Sequence, residues 1–255
     1  MDVSYLRLDG KVALITGGSR GIGKAIALAF AEAGADIAIS GRKQAGLDAV
    51  AAEIQQLGRR ALAVTAHNRE AADLRNLIER VQQEYGRLDI LVNNAATNPV
   101  MAPLVEIEEN VFDMIMTTNL KGYFLLSQLA ARMMIAQGGN GHILNISSVG
   151  GVSPDRGLGP YCISKAAINM LTRMLAVELG DYNIRVNALA PGVVQTHFSR
   201  ALWSNEALMA QEMKHMPLKR IAQPEEVARM ALTLVSDAAA YITGQIIIMD
   251  GGSSL

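Results

Sequence analysis

A tyrosine and a lysine four residues apart are the first candidates for acid–base chemistry. Tyr161 and Lys165 lie in Pro160–Leu179, a stretch compatible with a helix, so their side chains are expected on one face, about one turn apart. A free phenol has a pKa of about 10 and transfers protons poorly at neutral pH, but a nearby ammonium favours the phenolate and lowers that pKa. We therefore expect Lys165 to lower the pKa of Tyr161, although this spacing also arises by chance on helix surfaces.

Hydroxyl groups precede that pair at the end of an apolar run. Ser147 and Ser148 close the predicted strand His142–Ser147, thirteen or fourteen residues before Tyr161. Ligands of open α/β sheets bind beyond the carboxyl ends of the strands, so a serine hydroxyl there is placed to donate to a substrate oxygen. The pattern predicts that one of these serines works with Tyr161.

Amide side chains follow another apolar run. Asn93-Asn94-Ala95-Ala96 ends the predicted strand Asp89–Asn93, where amides and small side chains would line a cofactor cleft. Asn119 lies in a helical stretch, Val111–Met133. The alternative for Asn119 is an ordinary, partly exposed polar residue on a helix.

A glycine-rich segment, Thr16–Gly23, separates the β-branched run Val12–Thr16 from the helical pattern Lys24–Ala33. Glycines let the backbone turn tightly and approach a pyrophosphate whose charge faces the helix N-terminus. An ordinary turn would also use glycine, but the position between a first strand and a helix favours a dinucleotide. The candidate cofactor residues here are Gly17, Ser19, Arg20, Gly21, Ile22 and Gly23.

A nucleoside-triphosphate loop is the competing interpretation, because Gly18–Lys24 also fits the pattern G-x-x-x-x-G-K. Such a loop needs a serine or threonine next, whose hydroxyl binds magnesium, and this chain has Ala25. Without that ligand the metal site is incomplete. We therefore favour the dinucleotide and expect no metal.

The end of the second predicted strand indicates which dinucleotide binds. NAD enzymes place an acid there to hold the ribose 2′-hydroxyl, but this chain has Gly41-Arg42-Lys43. Asp36 opens that strand, and five residues at about 3.3 Å each separate it from the far end by roughly 16 Å. Arg42, flanked by Arg20, is suited to bidentate binding of a 2′-phosphate. The sequence therefore predicts NADP(H), the alternative being two solvated surface arginines.

Short apolar runs alternate with longer helical patterns along the whole chain. This alternation predicts an α/β Rossmann fold, a doubly wound, seven-stranded parallel sheet with helices on both faces. We expect one domain over residues 1–255. The predicted strands are Val12–Thr16, Asp36–Ser40, Ala61–Thr65, Asp89–Asn93, His142–Ser147, Arg185–Ala190 and Gln245–Met249.

Composition excludes several other classes of protein. The net charge of −1 gives no electrostatic footprint for nucleic acid, and no apolar stretch approaches the roughly 20 residues that cross a bilayer. Cys162 is the one cysteine, which excludes an internal disulfide or a cysteine zinc cluster. Met1–Leu14 has no secretion-signal pattern. We expect a cytoplasmic protein that binds neither membranes nor nucleic acid.

These motifs together resemble the short-chain dehydrogenase/reductase family from end to end. The matching positions, in family order, are Thr16-Gly17-x-x-x-Gly21-x-Gly23, Asn93-Asn94-Ala95-Ala96, Asn119, Ser148, Tyr161-x-x-x-Lys165 and Pro191-Gly192. The resemblance implies that Tyr161 is the general acid–base and that Ser148, by its spacing to Tyr161, polarises the substrate oxygen. Lys165 would bind the nicotinamide ribose and lower the pKa of Tyr161, and Asn119 would hold a water that continues the proton relay.

The same resemblance assigns cofactor contacts beyond the glycine-rich segment. It implies that Asn94 and Ala95 form a wall of the cleft, and that Arg20 and Arg42 match the basic pair of NADP-preferring carbonyl reductases. After the sixth strand it implies contacts from Pro191, Gly192, Val194 and Thr196, the last two with the nicotinamide carboxamide. One departure concerns the loop after the third strand, where the family usually has an aspartate for the adenine amino group. This chain has His67-Asn68, so adenine would use the histidine ring or the Asn68 backbone.

A variable lid is expected at about 195–216. Its apolar residues suit an apolar substrate, with core or subunit contact as the alternative. They are Phe198, Leu202, Trp203, Leu208, Met209, Met213 and Met216, whereas Arg200, Lys214 and His215 would face water. By resemblance, helices at Glu108–Ala136 and Pro160–Leu179 and the ending Tyr241–Gly252 form the interfaces of a homotetramer.

The expected activity is hydride transfer between NADP(H) and a carbonyl or secondary alcohol. Apolar ketones or aldehydes are the favoured substrates, by resemblance to the carbonyl and retinal reductases of the family. A 3-oxoacyl-thioester reductase or a sugar dehydrogenase is the alternative within enzymes. A non-catalytic NADP(H) sensor is the alternative outside them, and the intact set of Asn119, Ser148, Tyr161 and Lys165 argues against it.

Overall fold

Seven short apolar runs form one parallel sheet, as predicted. The computed structural model describes residues 4–205, 209–210, 213–214 and 216–255. Each strand begins and ends within one residue of its predicted bounds. The strands are β1 (Val12–Thr16), β2 (Asp36–Gly41), β3 (Ala61–Thr65), β4 (Ile90–Asn93), β5 (His142–Ile146), β6 (Arg185–Pro191) and β7 (Ile246–Met249).

The strand order creates a crevice at the carboxyl edge of the sheet. From β1 the chain builds outward through β2 to β3, then returns to the other side of β1 with β4, giving the order β3-β2-β1-β4-β5-β6-β7. Loops that leave β1 and β4 therefore diverge to opposite faces. Ligands bind at such a switch point in doubly wound sheets, so the residues just after these strands are the ones to inspect.

Helices cover both faces of the sheet. They are α1 (Gly21–Glu32), α2 (Gln44–Gln56), α3 (Ala71–Tyr85), α4 (Glu109–Met116), α5 (Gly122–Ala136), α6 (Gly159–Leu179), α7 (Arg200–Trp203) and α8 (Pro224–Val235). In β1, Ala13 and Ile15 pack into the core under α1, α2 and α8, whereas Val12 and Leu14 pack into the core under α3 and α5. Burial on both faces explains why the run is apolar without alternation. The result is a single Rossmann-like domain.

The helical stretch predicted at Val111–Met133 is not one continuous α-helix. Thr117–Lys121 forms a π-helical turn between α4 and α5. Asn119 lies in this turn and is fully buried, so the alternative of a partly exposed helix residue is wrong. Insertions of this kind in helices occur frequently at functional sites.

Two further observations concern membranes and metals. Within the described ranges, no helix is both long and apolar enough to span a bilayer. The same ranges bring no three histidine, cysteine, aspartate or glutamate side chains together as a metal site. Cys162 is partly buried and forms no disulfide.

Candidate active site

The glycine-rich segment forms a tight cradle between β1 and α1. Gly17 has a φ of +66°, which glycine adopts without the strain that a side chain would add. A Cβ on Gly23 would lie 2.3 Å from the Gly17 carbonyl oxygen, so only glycine fits where the helix meets the turn. No side chain caps α1 at Arg20, which leaves its first N–H groups for an external anion. This geometry fits a dinucleotide pyrophosphate.

The two arginines predicted for the 2′-phosphate are exposed and unengaged. Both side chains are exposed, and neither guanidinium forms a hydrogen bond or ion pair with the described part of the chain. Asp36 lies at the opposite end of β2, where it pairs with the Arg59 guanidinium at 2.7 Å and accepts from the Arg60 N–H at 3.0 Å. The end of β2 therefore presents cations with no local carboxylate bound to them.

The loop after β4 is fastened to the loop after β1. The Thr16 hydroxyl accepts from the backbone N–H groups of Asn94, at 2.9 Å, and Ala95, at 3.0 Å. The Asn94 side-chain amide donates to the Thr16 carbonyl oxygen at 2.8 Å. Asn94 and Ala95 thus lie between the loops that leave β1 and β4, and the Asn94 side chain is used to hold these loops together; their role as a wall of the cofactor cleft stays a prediction.

The serine next to Tyr161 is Ser148. Its hydroxyl takes part in a hydrogen bond with the Tyr161 side chain and accepts from the Gly150 backbone N–H at 3.1 Å. Ser147 is buried and donates instead to the Asn169 side chain at 2.6 Å. The choice between the two serines, which depended on family spacing, therefore agrees with the hydrogen bonds.

Lys165 is buried behind Tyr161. The side chain is 1% exposed, and its Nζ lies 5.6 Å from the centre of the Tyr161 ring and 5.3 Å from that of Tyr123. Nζ donates to the Ile146 carbonyl oxygen at 2.7 Å. The helical spacing thus brings the amine and the phenol together, with the end of β5 fixing the amine.

The expectation that Lys165 lowers the pKa of Tyr161 is wrong in this structure. Burial raises the pKa of Tyr161 to about 12, and the hydrogen bond with Ser148 opposes that rise only in part. Burial also lowers the pKa of Lys165 to about 7, so the amine carries only part of its charge at neutral pH. Tyr161 is therefore a protonated phenol at neutral pH, the form that a proton donor requires.

The Asn119 side chain joins the loop after β4 to α6. Its Oδ1 accepts from the Thr97 N–H at 2.8 Å, and its Nδ2 donates to the Thr97 carbonyl oxygen at 3.0 Å and to the Ser164 hydroxyl at 3.1 Å. Ser164 in turn donates to the Tyr161 carbonyl oxygen at 2.7 Å. Protein partners therefore use both amide hydrogens of Asn119 and one lone pair of its Oδ1, and the water predicted at this side chain stays a prediction. Sequence reasoning missed Thr97 and Ser164, whose types and spacing carry no signal of their own.

The loop after β3 lies beside the loop after β2. Its Asn68 side chain is 7% exposed, and the Asn68 amide donates to the Thr118 carbonyl oxygen at 2.8 Å. The Asn68 side chain therefore supports the π-helical turn, and only its backbone is left for the predicted cofactor contact. His67 is partly buried, and its Nδ1 accepts from the Arg69 N–H at 3.2 Å.

The segment after β6 borders both the glycine-rich segment and Tyr161. A Cβ on Gly21 would lie 3.3 Å from the Thr196 methyl group, so Thr196 borders the glycine-rich segment. The Phe198 ring lies 6.1 Å from that of Tyr161, centre to centre, and is 52% exposed. Trp203 Nε1 donates to the Thr196 carbonyl oxygen at 2.7 Å. Pro191, Gly192 and Val194 lie at the end of β6 or just after it, as predicted.

The lid residues divide between core and solvent. Met216 is buried at 2% exposure, so it belongs to the core. Arg200 and Lys214 are exposed, as predicted, whereas Leu202, Trp203, Met209 and Met213 are half-buried. Leu208 and His215 lie outside the described residues.

Known proteins are similar in sequence to this chain over nearly its whole length. Residues 17–254 match the family model described as enoyl-(acyl carrier protein) reductase. Dehydrogenase/reductase SDR family member 4 of Bos taurus is 40% identical over 246 residues, which cover 96% of this chain and 88% of the relative. The 3-oxoacyl-(acyl-carrier-protein) reductase FabG of Thermotoga maritima is 40% identical over 247 residues, 97% of this chain and 99% of the relative. This chain belongs to the short-chain dehydrogenase/reductase family.

Solved structures of the family superpose closely. A 7α-hydroxysteroid dehydrogenase complexed with NADH and 7-oxo glycochenodeoxycholic acid has a TM-score of 0.94 at 37% identity, covering 99% of this chain and 97% of its own. A gluconate 5-dehydrogenase of Burkholderia cenocepacia, in complex with NADP and tartrate, has a TM-score of 0.94 at 37% identity, covering 98% of each chain. The protein is thus an oxidoreductase of a family that uses nicotinamide cofactors, and these two neighbours contain NADH and NADP, respectively.

Proposed function

We propose that this enzyme reduces apolar ketones or aldehydes with NADPH. The observation that carries the proposal is an acid–base group, the partly buried Tyr161 and Ser148 with the buried Lys165, at the same carboxyl edge of the sheet as Arg20 and Arg42, whose side chains have no partner among the described residues. When bound, NADPH supplies the hydride that reaches the carbonyl carbon.

The residues of the chain supply the proton and hold the substrate oxygen. Ser148 donates a hydrogen bond to that oxygen, which polarises the carbonyl. Tyr161 gives its phenolic proton to the oxygen as the carbon receives the hydride, so the product is the alcohol. Lys165 lies behind Tyr161 to hold the nicotinamide ribose, and Asn119 keeps the loop after β4 aligned with α6.

The cofactor assignment follows from charge at the end of β2. A guanidinium binds a phosphate through two parallel N–H donors, and exposed arginines without protein partners are free to do so. The residues expected to hold NADP(H) are Gly17, Ser19, Arg20, Gly21, Ile22, Gly23, Arg42, Asn68, Asn94, Ala95, Tyr161, Lys165, Pro191, Gly192, Val194 and Thr196. Asn68 is expected to contact the cofactor through its backbone.

The substrate class follows from the apolar surface near Tyr161. Phe198 lies against Tyr161, and Met101 and Leu104 are each 54% exposed, with Met101 beside Gly157 and Leu104 beside Gly159. Exposed apolar side chains grouped at a site favour an apolar ligand. Within the lid expected at about 195–216, Phe198, Leu202, Trp203, Met209 and Met213 are the described apolar side chains left to cover that ligand.

A 3-oxoacyl-thioester reductase is the second candidate, because a relative of that activity is 40% identical over 97% of this chain. Both candidates are tested by mixing the purified protein with NADPH and a panel of ketones, aldehydes, sugars and 3-oxoacyl thioesters, while NADPH absorbance is followed. We expect the fastest oxidation with an apolar ketone or aldehyde. Faster turnover of the thioester favours the second candidate, and tight NADPH binding without any turnover contradicts both.

We also propose that the enzyme is a cytoplasmic homotetramer. Apolar side chains on the outer faces of α5 and α6 are exposed: Phe124, Ile163, Met170, Met174 and Val177. Of these, Phe124 lines a hollow of about 450 Å³ together with Met116, Leu120 and Leu171. Light scattering after gel filtration should give four times the 27.3 kDa chain mass, and Val177→Asp should lower that mass. A monomer at micromolar concentration would contradict this proposal.

A further inference from the structure

The base of the cofactor is expected at the end of β3, next to His67. The glycine-rich segment follows β1 and Arg42 follows β2, so the adenosine half runs outward across neighbouring strands about 4.8 Å apart. Gly41 pairs with Thr65 in the β2–β3 register, and the Ala66 N–H donates to the Gly41 carbonyl oxygen at 3.0 Å. The next residue in that direction is His67. This step rests on the proposed function.

The hydrogen bonds of His67 fix which ring nitrogen is available. Nδ1 accepts from the Arg69 N–H at 3.2 Å, and the His67 backbone N–H is held by the Asp73 carboxylate at 2.8 Å. An accepting Nδ1 requires that the proton of the neutral ring lies on Nε2. Within the described residues, Nε2 has no hydrogen-bond partner, so it remains a free donor.

The ring stays neutral at neutral pH, and the neighbouring Thr65 and Gln44 side chains are engaged with each other and with Asp48. Burial and the positive charges of Arg69 and Arg42 lower the pKa of His67, which Glu70 and Asp73 oppose only in part. Nearby, Thr65 donates to the Gln44 side chain at 2.7 Å, and Gln44 donates to Asp48 at 2.7 Å. His67 therefore presents a donor and no acceptor.

We propose that His67 donates from Nε2 to an acceptor on the edge of the cofactor's purine base, so that binding does not require the 6-amino group of adenine. A carboxylate at this position only accepts hydrogen bonds and so selects a base with an amino group. The imidazole N–H instead accommodates a base with a carbonyl oxygen there, such as hypoxanthine. The enzyme thus tolerates a hypoxanthine dinucleotide where an acidic residue would reject it.

Calorimetric titration with NADPH and with its hypoxanthine analogue tests this inference through affinity alone. For the natural sequence we expect the two dissociation constants to agree within about threefold. His67→Asp should favour adenine by about tenfold, because a carboxylate facing the hypoxanthine oxygen leaves two acceptors unpaired. His67→Leu, which removes donor and acceptor alike, should weaken both ligands equally.

The outcomes separate this inference from the NADP(H) assignment. The base ratio is the dissociation constant of the hypoxanthine dinucleotide divided by that of the adenine dinucleotide. The role of His67 would be overturned if this ratio were the same in the natural protein, His67→Asp and His67→Leu. A tenfold preference for adenine in the natural protein would overturn it as well. The same ratio measured with NADH and its hypoxanthine analogue tests the base contact independently of the 2′-phosphate. If none of these dinucleotides binds, the proposed function and this inference fail together.

Discussion

The predicted catalytic centre and the predicted cofactor-selecting edge, at the ends of β2 and β3, differ in how far their side chains are buried and bound by protein groups. At the centre, Lys165 and Asn119 are almost fully buried and bind protein groups through short hydrogen bonds. At the ends of β2 and β3, Arg42 is exposed and His67 keeps a free N–H donor. Protein contacts therefore hold the side chains of the centre, whereas the Arg42 guanidinium and the His67 Nε2 have no hydrogen-bond partner among the described residues. Under the proposed function, chemistry depends on the first region and cofactor selectivity on the second.

Removing the phenolic hydroxyl should produce the largest effect, and only at the centre. Tyr161→Phe deletes the proton donor but leaves the ring against Phe198, so kcat should fall about 1000-fold, within the range for general acid catalysis. The dissociation constant for NADPH should stay within about threefold. Steady-state rates with fluorescence titration of NADPH check both values. Equal loss of turnover and affinity would mean that the ring serves folding rather than proton transfer.

Removing the Arg42 cation at the end of β2 should weaken NADPH binding and leave the chemical step unchanged. Arg42→Ala should weaken NADPH binding by about 10- to 100-fold, since charge-assisted hydrogen bonds contribute about 1.5–3 kcal/mol. NADH binding should hardly change. Titration of both cofactors measures the ratio, and Arg75→Ala on the exposed side of α3 is the matched control. If Arg42→Ala weakens NADH as much as NADPH, the 2′-phosphate does not bind there.

The buried amine of Lys165 should destabilise the folded state. An unfolded lysine has a pKa of about 10.4, and burial lowers that of Lys165 to about 7. Below pH 7 both states are charged and the penalty is complete; it declines as the pH rises to about 10 and is then absent. Lys165→Met should therefore raise the free energy of unfolding by roughly 2–4 kcal/mol at pH 6, with the gain disappearing near pH 10.

Denaturant titrations at several pH values measure this change. Lys24→Met is the control, because Lys24 pairs with Glu53 at the surface and should change stability by less than about 1 kcal/mol at any pH. A Lys165→Met variant that is less stable than the natural protein at pH 6 would show that the ammonium stabilises the fold.

The smallest effect is expected at the aromatic contact above Tyr161. Phe198→Ala removes apolar area from the lid, so KM for an apolar ketone should rise about fivefold, in line with about 1 kcal/mol for an aromatic contact. KM for a small polar ketone should not change. Leu57→Ala, an exposed apolar residue after α2, is the control. Equal changes for both substrates would remove Phe198 from substrate recognition.

The sequence predicted the sheet and the catalytic pair because both are encoded locally. Each strand is a short apolar run between glycines or polar residues, and Tyr161 with Lys165 needs only one helical turn to meet. The family resemblance selected Ser148 over Ser147, and the hydrogen bonds agree. Site roles remain predictions, but the side chains predicted to act together at the centre do lie together.

Features that depend on distant contacts were not accessible from the sequence. Nothing in the composition of Val111–Met133 marks the π-helical turn, which is held by Asn68, 50 residues away, through the Thr118 carbonyl oxygen. The pKa of Tyr161 was misjudged for the same reason. Spacing shows that an amine is near, but not that burial removes much of its charge and raises the pKa of the phenol.

Transfer of an isotopic label tests the central claim most directly. The enzyme is mixed with NADPH carrying deuterium at the hydride position of the nicotinamide, together with an apolar ketone, and the alcohol is analysed by mass spectrometry. We expect one deuterium on the carbinol carbon with the natural protein and almost no alcohol with Tyr161→Phe. Alcohol without deuterium, or equal labelled alcohol from both proteins, would contradict hydride transfer coupled to a proton from Tyr161.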